Sequence, residues 1–388
     1  MKLLSAGPES CEELLAGMVA CNTVNPRFGG PAGGARNLGV QLEAWAGAWG
    51  LECRWYPVGA GEANLLLFCE PARDLPWLLF DSHLDTVGIE GMTVEPFVLT
   101  RRGDRLYGRG ACDTKGSGAA MLWALREYAR SEIRPHAVGV LFTVDEEAGM
   151  TGARGFAGQH LAEFQPRLRG VVVGEPTSMR PVVATNGVVR WRTITRGIAA
   201  HSSEPTRGRS AISAMVRVVQ MLEEKYVPAV VRRHPLTGPA VASVNVIVGG
   251  TQVNVIPDFC AIECDRRLVP GETSEAALTE RDRALADGPA VEHDSIYTVP
   301  PLTEESTRVF HAWARPALAA TGCDAAGTGA AYVTNASIYA TSGAPVLVLG
   351  PGEASQAHTR DEWISRDQLH LAVRTYRSLM GVDAVHCI

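Results

Sequence analysis

Five short stretches of this sequence set a histidine or a carboxylate beside an apolar run or a glycine turn. Their recurrence constrains the fold more than any other feature. Leu78-Leu79-Phe80 runs into Asp81-Ser82-His83-Leu84-Asp85, Leu141-Phe142-Thr143-Val144 into Asp145-Glu146-Glu147, and Val171-Val172-Val173-Gly174 into Glu175. Gly108-Arg109-Gly110-Ala111-Cys112-Asp113 precedes a helical pattern over 116–129, and Val346-Leu347-Val348-Leu349 leads through a glycine loop to Gln356-Ala357-His358. Apolar runs this short, β-branched or leucine-rich, read as buried strands of a largely parallel sheet. A run over 64–69 reads the same way. Helical patterns alternate with them, with Leu14, Leu15, Met18 and Val19 on one helix and Leu38, Leu42, Trp45 and Trp49 on the next. Alternation of this kind builds a doubly wound α/β layer. Ligands of such sheets bind beyond the carboxyl ends of the strands, so His83, Asp113, Glu147, Glu175 and His358 are expected to converge on one crevice.

A chain of 388 residues exceeds what one hydrophobic core usually holds. The pattern changes near Pro181. A half-exposed strand over 188–196 puts Val189, Trp191 and Thr193 on one face and Arg190 and Arg192 on the other. A helix over 210–224, strands over 242–248 and 260–268, a helix over 274–286 and a strand over 291–296 follow. That is the β-α-β-β-α-β order of a ferredoxin-like unit. After Pro300-Pro301 the α/β character returns, with a helix over 304–320, a strand over 345–349 and a helix over 366–380. The expected layout is a larger α/β domain in two parts, 1–181 and 297–388, interrupted by a smaller inserted α+β domain over 182–296.

Composition narrows the function. With 36 basic and 42 acidic residues the net charge is −6, and no basic block stands out, which argues against a nucleic-acid partner. No apolar run approaches the ~18 residues of a membrane span, and the first nine residues lack the apolar core of a leader. Nine cysteines at irregular spacing form no CxxC pair, which excludes a zinc ribbon and fits a reducing, cytoplasmic setting. Gly108-x-Gly110 is followed by Asp113 where a dinucleotide fingerprint has its third glycine.

The convergent set is two imidazoles and three carboxylates, the mixed nitrogen and oxygen donors that Zn²⁺ takes. Five protein ligands suffice for two ions if Asp113 bridges and water completes the shell. In an extended segment residues i and i+2 point the same way, so Asp85 is placed to accept from the His83 imidazole N–H that a metal does not use.

The motifs resemble those of the co-catalytic zinc metallopeptidase family that contains acetylornithine deacetylase, succinyl-diaminopimelate desuccinylase, aminoacylase and a glutamate carboxypeptidase. The resemblance rests on Ser82-His83-Leu84-Asp85-Thr86-Val87, on 106–116, on Asp145-Glu146-Glu147-Ala148-Gly149, on Val173-Gly174-Glu175-Pro176-Thr177-Ser178, and on Ala200-His201-Ser202-Ser203. Leu349-Gly350-Pro351-Gly352, Gln356-Ala357-His358 and the trailing Asp361-Glu362 are most similar to the acetylornithine deacetylase branch. The resemblance implies a zinc-dependent hydrolase of N-acyl-L-amino acids working in amino-acid (arginine) biosynthesis. It implies two Zn²⁺, with Co²⁺ as a substitute, a catalytic role for the two-part domain, and a homodimer formed through the inserted domain, which acts as a lid. His83 and Glu175 resemble the ligands of one zinc, Glu147 and His358 those of the other, and Asp113 the bridge. Glu146 resembles the general base, Asp85 the residue that orients His83, and His201 the histidine that reaches the substrate carbonyl oxygen, in some relatives from the partner subunit. Asn254 and Arg266 resemble positions that contact the substrate carboxylate. One departure stands out: Thr334-Asn335-Ala336 replaces the Thr-Glu-Ala of acetylornithine deacetylases, removing a possible partner for a cationic side chain. N-acetylcitrulline, another N-acyl amino acid, a succinylated substrate or a small peptide therefore stay open beside N-acetylornithine. A non-catalytic relative would be expected to have lost the base or a ligand, and every one of those positions is occupied.

Overall fold

A computed structural model describes residues 7–59 and 61–381. The segment 1–6 that bears on a leader, as well as Cys387, lies outside the described residues. Contacts divide the chain into two compact units: Met1–Val183 with Glu304–Thr328 and Thr334–Ile388, and Ala184–Thr303 with Gly329–Val333.

The first unit is built on an eight-stranded sheet. Its order is Glu52–Gly59, Glu62–Cys69, Ala137–Thr143, Trp77–His83, Leu168–Val173 and Val346–Val348, then Val182–Thr185 and Thr328–Ala330, where the chain passes between units. The four strands from Ala137–Thr143 to Val346–Val348 run parallel. Every residue of Trp77–His83 and of Ala137–Thr143 is buried. Successive side chains point to opposite faces, so both faces of the sheet centre are covered. The expectation of a mostly parallel sheet needs correction outside that centre. Glu52–Gly59 pairs antiparallel with Glu62–Cys69, which pairs antiparallel with Ala137–Thr143, and Val182 meets Val348 antiparallel. The direct hairpin between the first two strands forces their antiparallel pairing.

The helix Lys115–Ala129 packs on the parallel strands and against Arg366–Met380 and Cys11–Val19. It buries Ala119, Ala120, Met121, Leu122, Ala124 and Leu125, so it is apolar nearly all round, as a helix sandwiched between layers must be.

The second unit carries a four-stranded antiparallel sheet in the order Val241–Gly249, Phe259–Leu268, Gly187–Arg196, Glu292–Val299. With the helices Ala211–Met221 and Ser274–Leu285 between strands, this is the ferredoxin-like arrangement. Met215, Val218, Ala277 and Leu285 pack with Trp191, Cys260, Ile262 and Cys264 in one core. On the other side of the strands Arg190 pairs with Asp265 and Arg192 with Glu263, each directly across the ladder. The last strand runs to Val299 and holds the chain in this unit to Thr303, past the expected boundary at 296, and Gly329–Val333 joins it. Among the described residues no helix is long and apolar enough to cross a membrane.

Candidate metal centre

Three adjacent parallel strands bring the first ligands to one level. His83 ends its strand opposite Thr143, whose strand leads into Glu146-Glu147. Asp81 lies opposite Val173, one residue before Gly174-Glu175. A side chain at Gly174 would put its Cβ 2.7 Å from Ser117 Cβ, so only glycine lets this turn lie against the central helix.

Asp113 and His358 come from loops, and Glu362 ties these loops together. Its carboxylate accepts the N–H groups of Gly110 (2.9 Å), Cys112 (2.8 Å) and Asp113 (2.9 Å) and pairs with Arg109 Nη1 at 2.7 Å. Gly110 holds a φ of +79°, which suits this wrap around one carboxylate. Trp363–Ser365 pairs with Arg105–Tyr107, so the strands flanking both loops are joined as well. Glu362 belongs to the motif used in the sequence comparison, but its structural task is visible only here.

The resulting cluster has a bridging geometry. His83, Asp113 and Glu147 present ligand atoms that all lie within 4.8 Å of one another. Asp113 Oδ1 is 3.1 Å from His83 Nε2, and its Oδ2 is 3.3 Å from His358 Nε2. His358 Nε2 is also 3.1 Å from Glu147 Oε2. One carboxylate thus offers each oxygen to a different imidazole. Glu175 is buried beside them, and Glu146 is partly buried.

Electrostatics tests whether a metal suits these residues. Burial, followed by the Asp113 carboxylate, pushes Glu175 and Glu147 above their usual range. Glu146 lies well above its usual value, through burial and the neighbouring carboxylates of Glu175, Glu147 and Asp113, with His83 opposing. Hydrogen bonds to Asp113 and Glu147 raise His358 to about 10. Burial works against protonation of His83, yet Asp113 and Glu146 raise it well above the ordinary value. The carboxylates outnumber the imidazoles, and the site draws positive charge to itself. Nitrogen and oxygen donors, a two-ended central carboxylate and uncompensated negative charge fit two divalent cations.

Asp85 does not act as expected. His83 Nδ1 is bonded to the main-chain oxygen of Asp85 at 2.9 Å, while the carboxylate stands 3.7 Å away. The carboxylate instead accepts the N–H groups of Glu146 (3.0 Å) and Glu147 (3.2 Å) and the amide of Asn25 (2.9 Å). Asp85 therefore orients His83 through its backbone and the Glu146-Glu147 turn through its side chain. Asn25 also reaches Asp145 Oδ1 at 3.0 Å. No local pattern around Asn25 signals this, because its partners are 60 and 120 positions away.

Asn335 is buried, at 1% exposure, and donates to Asp81 Oδ1 (3.1 Å) and Thr143 Oγ1 (3.2 Å). Tyr339 donates to the other Asp81 oxygen at 2.7 Å, and burial pushes Asp81 up to about 6. The amide at 335 thus serves a buried carboxyl. That corrects its reading as a missing partner for a substrate cation.

In the second unit His201 is exposed and His201–Val255 is a ladder pair, with Ser202 N–H donating to Asn254 O at 3.0 Å. His201 and exposed Asn254 are therefore neighbours. Ser203 N–H points at His201 Nδ1 at 3.2 Å, which makes Nδ1 an acceptor and leaves the proton on Nε2. Arg266 is 1% exposed and forms an ion pair with Glu272 at 2.7 Å. It is a buried structural pair, contrary to the expected contact with a substrate carboxylate. The next residue on the strand, Arg267, points to the opposite face and is 31% exposed.

The fold and site define a metal-dependent amidohydrolase, in which carboxylate and imidazole ligands flank a glutamate of raised proton affinity. Residues 79–381 match Peptidase family M20/M25/M40. The chain is 34% identical to an acetylornithine deacetylase of Myxococcus xanthus over 74% of this chain and 75% of the relative. It is 33% identical to one of Photorhabdus laumondii over 83% and 84%. The fold is shared with an M20-family metallo-carboxypeptidase of Sulfolobus solfataricus at a TM-score of 0.76 and 16% identity, covering 96% of this chain and 99% of that one. A dinuclear metal-binding M20 peptidase of Bacillus subtilis superposes with a TM-score of 0.68 at 16% identity, covering 97% and 98%. The chain belongs to the M20/M25/M40 peptidase family.

Proposed function

We propose that the protein is an N-acyl-L-amino-acid deacylase of the acetylornithine deacetylase type, releasing a carboxylic acid (acetate, for an acetyl group) and a free amino acid. The single observation that carries this reading is Asp113, whose two oxygens face His83 and His358 beside the proton-avid Glu146. The assigned metals are two Zn²⁺, with Co²⁺ as a working substitute: His83 and Glu175 would hold one and Glu147 and His358 the other, with Asp113 shared between them. When bound, such ions supply Lewis acidity for the carbonyl and lower the pKa of water.

The chain's own residues do the rest. Glu146 takes the proton of the attacking water as the scissile carbon becomes tetrahedral, then returns it to the leaving amine. Its adjacency to Glu147 lets one carboxylate ligate while its neighbour moves protons. Asp85 holds both through their N–H groups. His201, with its proton on Nε2, is the assigned donor to the developing oxyanion. Asn254 is the assigned polar contact for the substrate carboxylate, and Arg267, partly exposed and held by Asp265 at 2.7 Å, replaces buried Arg266 as its cationic partner.

A homodimer through the second unit is supported by its outer strand. Among the described residues Val241–Gly249 has a ladder neighbour on one side only, and it exposes Val246, Ile247 and Val248. A cytoplasmic location is supported by free cysteines at 11, 21, 53, 69, 112, 260, 264 and 323. The deciding experiment is hydrolysis of N-acetyl amino acids, succinyl-diaminopimelate and dipeptides by the Zn²⁺- or Co²⁺-loaded enzyme. Deacetylation is expected to dominate; a preference for dipeptides overturns the reading.

A further inference from the structure

His358 forms one wall of a pocket of about 480 Å³ that is also lined by Gly88, Glu90, Gly91, Arg109 and Arg360. Since His358 lies 3.1 Å from Glu147, the pocket opens directly beside the metal cluster. Its charges divide into a buried ion pair and two exposed groups. Arg109 is buried and bonded to Glu362 at 2.7 Å, with its Nη2 on Thr359 O. Arg360 and Glu90 are exposed, and neither is taken up in an ion pair among the described residues. The carboxylate nearest Arg360 in sequence, Asp361, accepts from the N–H groups of Thr93 and Val94, and the Arg360 charge adds to holding it below the usual carboxylate range.

Arg360 is anchored, and the Glu90 side chain lies over its own loop. Arg360 Nε donates to Gly91 O at 2.5 Å, which clasps the guanidinium to the segment that carries Glu90. The Glu90 carboxylate folds back over Gly88, where an added Cβ would lie 2.2 Å from Oε2. The pocket thus presents one acceptor-only and one donor-only group at its rim. An ammonium side chain meets Glu90 but opposes Arg360, and a carboxylate does the reverse. A neutral group with N–H donors and a carbonyl acceptor satisfies both.

We propose that this pocket receives the substrate's side chain and that Glu90 and Arg360 select a neutral ureido or carboxamide group, its N–H groups donating to Glu90 and its carbonyl oxygen accepting from Arg360. The assignment rests on the N-acyl-amino-acid reading above. It places selection on the loops around residues 90 and 360, since the amide of Asn335 is committed to Asp81.

The test measures kcat/KM of the metal-loaded enzyme for N-acetyl-L-citrulline, N-acetyl-L-ornithine, N-acetyl-L-glutamate and the apolar reference N-acetyl-L-norvaline. The wild type is expected to favour the citrulline compound over each of the others by about tenfold or more, as a site built on hydrogen bonds rejects analogues that lack the partner groups. Arg360→Gln and Glu90→Gln are each expected to lower the citrulline-to-norvaline ratio about tenfold. Gly88→Ala, which displaces the Glu90 carboxylate without touching Arg360, is expected to lower it less. A wild type that favours ornithine or glutamate, or a ratio unmoved in both Gln variants, overturns the assignment. Cleavage of all four compounds with no side-chain preference overturns the pocket alone. Cleavage of dipeptides and none of the four removes the parent reading together with this one.

Discussion

The two units each bury ionised groups, but with different balance. In the first, Asp113, Glu146, Glu147 and Glu175 crowd around two imidazoles, and their pKa values are driven apart. In the second, Arg266 meets Glu272 at 2.7 Å, exposed Arg232 stands 4.0 Å from the same carboxylate, and Glu272 also accepts Val269 N–H at 2.9 Å. A buried carboxylate met by guanidinium groups of its own chain has its charge closed from within and belongs to the structure. An unbalanced cluster is complete only with what it binds. The same residue types at similar burial therefore carry opposite meanings, and local charge closure tells them apart.

The contrast can be broken most severely at the base. Glu146→Gln is expected to lower kcat roughly a thousandfold while metal content, measured on the same preparation, stays at the wild-type level. Retained turnover would remove Glu146 from the proton path, and lost metal would make it a ligand. Next in size is the structural pair. Arg266→Ala takes from the buried Glu272 carboxylate its nearest cationic partner and is expected to cost about 3 kcal/mol in chemical denaturation. Arg267→Ala is expected to leave the denaturation midpoint near wild type and to raise KM. If the two variants exchange phenotypes, the strand alternation assigned here is wrong. A smaller effect, about 2 kcal/mol, is expected for Asn335→Glu, which sets a second carboxylate against buried Asp81. A stable Asn335→Glu enzyme with enhanced N-acetylornithine turnover would show instead that position 335 faces the substrate. Smallest is Ile247→Lys on the exposed outer strand, expected to leave the isolated chain folded but to shift sedimentation from dimer to monomer; an unshifted dimer moves the interface elsewhere.

The central strands were legible because they are buried on both faces, and a short unbroken apolar run has few other uses. The ferredoxin-like order was legible because alternation and helix periodicity stay clean from 188 to 296. The hairpin strand Glu52–Gly59 escaped notice, since its pattern is mostly exposed with Tyr56 as its one buried residue. The helix Thr151–Gln159 escaped because its three glycines and sparse apolar residues hide the period. For the site, ligand types and order stand in the chain itself, but hydrogen-bond partners do not. Asp85 turned its carboxylate to the Glu146-Glu147 N–H groups because that loop returns above it, a contact set by the pairing of strands. Arg266 and Arg267 differ by one position, and one step along a strand reverses the face. Glu362 holds the Asp113 loop across about 250 residues of chain, a distance no local motif spans.

The account stands on the cluster around Asp113, and metal stoichiometry tests it most directly. Elemental analysis of protein dialysed against metal-free buffer and then reloaded with Zn²⁺ should give close to two ions per chain with activity regained in step. Asp113→Ala should lose both ions together, because the bridge serves both. One ion per chain at full activity, or an active metal-free enzyme, contradicts the account.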